Sequence, residues 1–184
     1  MKKVFIVHGW SGSAQSDWLP WMKDELSAKN ISAEVLQMPI ADFPQMDEWV
    51  KYLHTKIGTP NEEIFLVGHS LGCMAIMRYV ESLAENEKIG GMLLVSGFSH
   101  SIGIPYLESF FTSPLDYDKV ARSVMQKVFI NSDNDPYVPL AEGKVLEEKL
   151  GGKLIVLNDV GHINQVSGFV TFTTGLEELL TMMQ

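Results

Sequence analysis

With 184 residues, 46% of them apolar, the chain has the length and apolar content of one compact domain able to bury a sizeable core. Its 14 lysines and arginines stand against 23 aspartates and glutamates, a formal charge of −9 that argues against nucleic acid and against an anionic membrane surface as partners. A single cysteine, Cys73, excludes an internal disulfide framework and favours a reducing compartment. After Met1-Lys2-Lys3 the apolar run VFIV is too brief for a signal-peptide core or a membrane span, so the expected location is cytoplasmic.

Short apolar runs alternate with longer amphipathic segments, the pattern of parallel strands covered by helices. The first run, VFIVHG, is followed by Trp18, Met22 and Leu26 on one helix face, with Pro20 tolerable in its first turn. AEVLQMP precedes a second helix marked by Met46, Trp49, Val50 and Leu53. EIFLVGHS leads into a third, where Cys73, Met74, Met77, Val80, Leu83 and Ala84 make a broad apolar face. GMLLVSG then gives way to residues 98–123, which mix glycine, prolines, serines and aromatic rings without a period and read as loops with one or two short helices outside the sheet. KVFINS, a helix over 140–150, KLIVLN and a helix over 169–183 complete the order. Each of the six runs carries consecutive branched or aromatic residues, as a strand covered on both faces should. The expectation is an α/β fold, a three-layer sandwich around a six-stranded, predominantly parallel sheet, with residues 1–184 as a single domain.

GHSLG, residues 68–72, puts Ser70 between strand and helix with glycines two positions to either side. A sharp turn there would strain the serine backbone and expose its hydroxyl, while side chains at Gly68 and Gly72 would crowd the passage of strand and helix. The free N–H groups of the first helical turn would stabilise negative charge beside it, and Leu71 should donate one. The competing reading makes Ser70 a helix cap. Cys73, on the apolar helix face, reads as an inert core thiol.

A serine hydroxyl needs a base, and the base normally needs a carboxylate. Of five histidines, His54 falls on the wet side of a helix, His100 in the irregular segment, and His69 on the far side of the turn from Ser70. His8 ends the first strand and suits an organising role in its loop. His162, in DVGH after the last strand, can reach across the rim toward Ser70 and is the candidate base. SDNDPYVP supplies the acid: Asp135, biased toward extended backbone by Pro136, is preferred over Asp133, with Asp159 a third choice. A second oxyanion donor should come from HGWSGS after the first strand, where Gly9 allows close approach and Trp10 N–H is the candidate.

These blocks, HGW, GHSLG, SDNDPYVP and the GH at 161–162, resemble the α/β-hydrolases. More closely they resemble the small serine hydrolase family that includes retinoblastoma-binding protein 9 and the bacterial YdeN-like proteins. The likeness runs from the first strand to the last helix. What it implies is a compact α/β-hydrolase fold without the two leading strands or large lid of longer members, an esterase-like activity, and Ser70, Asp135 and His162 as catalytic triad. Protein binding linked to some members has no matching segment here, so no protein partner is indicated.

The expected chemistry is ester hydrolysis through an acyl-Ser70 intermediate on small or medium acyl esters, with no metal or organic cofactor. Phe98, Tyr106, Phe110 and Phe111 either line an acyl pocket or pack the irregular segment onto the sheet. No phosphate loop or dinucleotide motif is present, and His8, His69 and His162 lack the spacing of a zinc site. The alternative from another class is a noncatalytic interaction module on a retained hydrolase scaffold.

Overall fold

The six apolar runs form strands and the amphipathic segments between them form helices in a computed structural model that describes residues 1–184. The strands are β1 (Lys3–Val7), β2 (Ser32–Leu36), β3 (Ile64–His69), β4 (Ile89–Val95), β5 (Val124–Ser132) and β6 (Lys153–Leu157). The helices are α1 (Leu19–Ala28), α2 (Met46–Ile57), α3 (Leu71–Glu81), α4 (Tyr117–Ser123), α5 (Leu140–Leu150) and α6 (Thr173–Met182). All five strand pairs are parallel, and the order across the sheet is β2-β1-β3-β4-β5-β6.

Side-chain alternation along the strands sets the three layers. Phe5, Val7, Leu66, Met92, Leu94 and Phe129 face the layer built from α2, α3, α4 and α5. Val4, Ile6, Phe65, Val67, Leu93 and Ile130 face α1 and α6. Each such side chain withdrawn from water contributes about 1.5–3 kcal/mol. Helix α3 lies deepest: every residue from Leu71 to Val80 is buried, which is why its sequence carries apolar residues well beyond one stripe.

The outer strands depart from the expectation of cover on both faces. β2 and β6 are the sheet edges and are only partly buried, with Val156 39% exposed. Composition alone does not separate an edge from a centre, because both require branched residues to suit the pleat. Residues 98–123 hold a 3₁₀ turn at Pro105–Phe111 and α4, with no large lid. α6 begins at Thr173, after a short 3₁₀ turn at Gln165–Ser167.

Strand order reverses between β1 and β3: the chain leaves β1 toward β2 on one side and leaves β3 toward β4 on the other. Connections diverging in this way open a crevice beyond the carboxyl ends of the two strands. The register sets Val7 opposite Gly68, His69 opposite Val95, Val95 opposite Ile130 and Ser132 opposite Leu157. Residues that follow these positions therefore gather at one rim.

Candidate active site

Ser70 is the residue between β3 and α3, beside that crevice, with φ 53° and ψ −122°. This conformation disfavours a residue with a Cβ by about 1–3 kcal/mol and persists where surrounding structure holds it. Ser70 N–H donates to Val95 O at 2.9 Å, and Ser70 O accepts from Cys73 N–H at 3.0 Å. The close passage of strand and helix requires glycine. A Cβ on Gly68 would lie 2.8 Å from Cys73 N, and one on Gly72 only 2.3 Å from Val7 O. Although Ser70 occupies the N-cap position, its side chain makes no capping hydrogen bond. The capping role is thus not what the hydroxyl does.

His162 lies in the loop after β6, where its Nδ1–H donates to Asp135 Oδ2 at 2.7 Å. The other carboxylate oxygen, Oδ1, accepts from Tyr137 N–H at 2.9 Å and Val138 N–H at 3.0 Å. Burial raises the Asp135 carboxyl, but the hydrogen bond and charge of His162, with the two amides, outweigh it and hold the group below the ordinary carboxylate value. Asp133 instead accepts Asp159 N–H at 2.9 Å, and Asn134 Oδ1 accepts Gly161 N–H at 2.8 Å. These two residues pin the loop that carries His162, whereas Asp135 meets its ring. Asp159 contributes its backbone.

Ser70 and His162 line one cavity of about 240 Å³. The imidazole bonds to Asp135 alone, and no hydrogen bond joins it to the Ser70 hydroxyl. Such contacts commonly tighten only when substrate is bound. The rest of the wall is Trp10, Ile102, Ile104, Leu107, Tyr137 and Asn164, with no carboxylate, lysine or arginine. The volume falls below the 300–1,000 Å³ usual for small-molecule sites. A wider cleft of about 740 Å³ opens at the opposite rim, around Met125–Val128 and Gly151–Lys153, but no serine, cysteine or histidine lines it.

None of the four rings considered from sequence lines the cavity. Phe98 and Phe110 are fully buried in the core, Phe111 stacks on Phe98 at 5.7 Å, and Tyr106 is exposed and stacked on Trp10 at 5.7 Å. Aliphatic neighbours from the same segment, Ile102, Ile104 and Leu107, form the wall instead. Sequence offered no signal for them, since the segment lacks a period from which facing could be read.

The remaining candidates divide into scaffold and free groups. His8 is fully buried and both ring nitrogens are used: Nδ1–H donates to Gly9 O at 2.7 Å, and Nε2 accepts Met38 N–H at 3.0 Å. Burial lowers its pKa, which keeps the ring neutral and organises the loop after β1. Leu71 N–H is the first amide of α3, where the helix itself supplies no acceptor. Trp10 N–H has no backbone acceptor, and its indole is fixed by Nε1–H donating to Asp42 O at 3.0 Å. Cys73 donates its thiol to Val95 O at 3.3 Å; burial pushes the thiol far above its usual value and makes it inert. His54 and His100 are exposed and bonded to Ser82 and Glu142. His69 and Ser96, both buried, donate to the carbonyl of His162, a connection sequence reading missed.

A parallel sheet in this order, a strained serine between β3 and α3, and a carboxylate–imidazole pair beyond β5 and β6 define an α/β-hydrolase fold. Within that class the chain belongs to the serine hydrolase family, whose model, described as "Serine hydrolase", matches residues 4–181. It is similar to YdeN of Bacillus subtilis (strain 168), 34% identical over 171 residues that cover 92% of this chain and 90% of that protein. It is also similar to serine hydrolase RBBP9 of Rattus norvegicus, 26% identical over 165 residues covering 87% and 86% respectively. The crystal structure of the ydeN gene product from B. subtilis matches with a TM-score of 0.95 and 32% identity, covering 100% of this chain and 99% of that one. Est1E from Butyrivibrio proteoclasticus, solved with ferulic acid bound, shares the fold at a TM-score of 0.77 and 13% identity, over 100% of this chain and 90% of its own. No helix is long and apolar enough to cross a membrane.

Proposed function

We propose that this serine hydrolase is a carboxylesterase that cleaves small, uncharged acyl esters, with Ser70 as nucleophile, His162 as base and Asp135 as its orienting acid. The observation that carries the reading is the 2.7 Å bond from His162 Nδ1–H to Asp135, which leaves Nε2 without a partner on a residue that lines the same cavity as Ser70. Ser70 Oγ attacks the ester carbonyl carbon as Nε2 takes its proton, and Asp135 stabilises the imidazolium so formed. Trp10 and Leu71 N–H groups receive the oxyanion; one such donor is typically worth about 10²–10³ in rate. Collapse breaks the bond to the alcohol oxygen, which leaves with the imidazolium proton. Water then attacks acyl-Ser70, giving a proton to Nε2, and the acid departs as Oγ regains its own.

The small volume and the largely apolar wall without carboxylate, lysine or arginine favour short acyl groups over long or ionised ones. A fluorophosphonate probe tests the nucleophile: folded protein is expected to label and Ser70→Ala is not. An unlabelled wild type, or equal labelling of the variant, would return the chain to the reading of a noncatalytic scaffold. A series of esters graded in acyl length tests the pocket, with acetate and butyrate expected to exceed decanoate.

A further inference from the structure

The carbonyl oxygen of His162 accepts two hydrogen bonds from the rim of the sheet. His69 Nε2–H donates at 3.0 Å from the end of β3, and Ser96 Oγ–H donates at 3.2 Å from the residue after β4. Both donors are buried, His69 at 4% exposure and Ser96 fully. The rings of His69 and His162 lie 4.9 Å apart. On its other side His69 meets Trp18, edge-on at 5.9 Å, and Trp18 Nε1–H donates to Ile163 O at 2.9 Å. Asp17 completes the surround: its Oδ2 lies 3.8 Å from His69 Nδ1, and its Oδ1 accepts Gln165 N–H at 2.8 Å. Besides the ties after β5, the loop carrying His162 is thus held through its backbone by groups from the end of β3, from the residue after β4 and from the segment before α1.

We propose that His69 is a positioning residue, whose Nε2–H holds the His162 carbonyl and thereby sets the reach of the imidazole toward Ser70. The proposal rests on reading His162 as the base. His69 and Ser70 are consecutive, so the bond refers the base to the backbone that carries the nucleophile. Without it, the loop would keep its ties to Ser96, Trp18 and Asp17 and to Asp135, Asp133 and Asn134 after β5, but would lose the direct bond to the residue beside the nucleophile. The acceptor is a carbonyl, so Nε2 must carry the proton. Burial, with the nearby charge of His162 opposed by Asp17 and Asp135, lowers the His69 pKa to about 4 and keeps the ring neutral at neutral pH.

Two substitutions of similar polarity separate the bond from mere packing. In His69→Gln the amide N–H occupies the place of Nε2 and still reaches the carbonyl; in His69→Asn it occupies that of Nδ1, toward Asp17, and does not. With a butyrate ester, His69→Asn is expected to lose about 10- to 100-fold in kcat with KM within about twofold, the scale of a displaced reacting group. His69→Gln is expected to stay within about threefold of wild type. The low-field proton resonance of His162 Nδ1–H bonded to Asp135 gives a readout that needs no turnover: it should persist in His69→Gln and broaden or vanish in His69→Asn. Unchanged kcat and resonance in folded His69→Asn, or equal losses in both variants, would overturn the proposal. If His69→Asn does not fold, His69→Leu removes the same N–H without leaving a polar group to bury, and an unaltered resonance and kcat in it overturn the proposal. If wild type cleaves no ester, the ester reading fails and the resonance pattern still decides this one.

Discussion

Asp135 and Asp133 leave the same strand end two residues apart, and exchanging each for asparagine isolates what the carboxylate on His162 does. In Asp135→Asn the retained Oδ1 can still accept Tyr137 and Val138 N–H groups, so the turn should survive. What is lost is a negative charge 2.7 Å from Nδ1. With about 4 Å between charge centres and an effective dielectric of about 20, stabilisation of the imidazolium falls by about 4 kcal/mol, or roughly 10³-fold in rate. The amide NH₂ also favours the wrong imidazole tautomer, which brings the expected loss in kcat nearer 10⁴-fold. Asp133→Asn keeps an oxygen for Asp159 N–H and is expected to stay within about threefold of wild type. Steady-state hydrolysis of a butyrate ester, with near-ultraviolet circular dichroism as the control for folding, measures both. An Asp135→Asn enzyme retaining a tenth of wild-type kcat, or an Asp133→Asn enzyme falling as far as its neighbour, would refute the assignment.

Acid should destabilise the fold through buried histidine. The unfolded chain binds a proton on His69 near pH 6.5, but burial and the charge of His162 delay this in the folded state to about pH 4. The unfolded state therefore holds more protons between these values, and stability present above about pH 6.5 declines as pH falls, by about 2 kcal/mol at pH 5 from this group. His8, also lowered by burial, acts with the same sign. Urea midpoints near pH 7.5 and pH 5 should differ by about 1 M, less so in His69→Gln; equal midpoints in wild type would exclude the mechanism. At the turn itself, Gly72→Ala meets two main-chain oxygens at 2.3 and 2.7 Å and should lose about 3 kcal/mol or more, whereas Gly97→Ala, whose Cβ meets Cys73 and Leu146 side chains at 3.3 Å, should lose less. Comparable urea midpoints for the two variants would contradict the packing argument.

The six strands and their covering helices were legible because alternation between apolar runs and amphipathic segments is a local property of the chain. Their spatial order was not. Nothing in VFIVHG or AEVLQMP says that β1 would lie between β2 and β3, leaving β2 and β6 as edges. Ser70 was legible from its flanking glycines, and Asp135 from the proline that extends the chain after it, since both features act through neighbouring residues. The grip of His69 and Ser96 on the His162 carbonyl spans 93 and 66 residues and exists only after the strands have taken their order. Arg78 escaped for a similar reason. Buried in α3, it donates to the carbonyls of Phe110, Ser113 and Pro114, a set of acceptors no periodicity announces.

That arginine shares with Glu142 the task of suspending the passage between β4 and α4: Glu142 takes the N–H groups of Ser99 and His100 at one end, and Arg78 clasps the other. Between the two anchors hang Ile102, Ile104 and Leu107, which furnish the aliphatic part of the cavity wall while none of the groups proposed for bond cleavage belongs to this stretch. The aliphatic wall and the groups proposed for bond cleavage thereby lie on separable lengths of chain. A different loop slung from the same two hooks would reshape what is admitted and leave the reacting machinery as it stands.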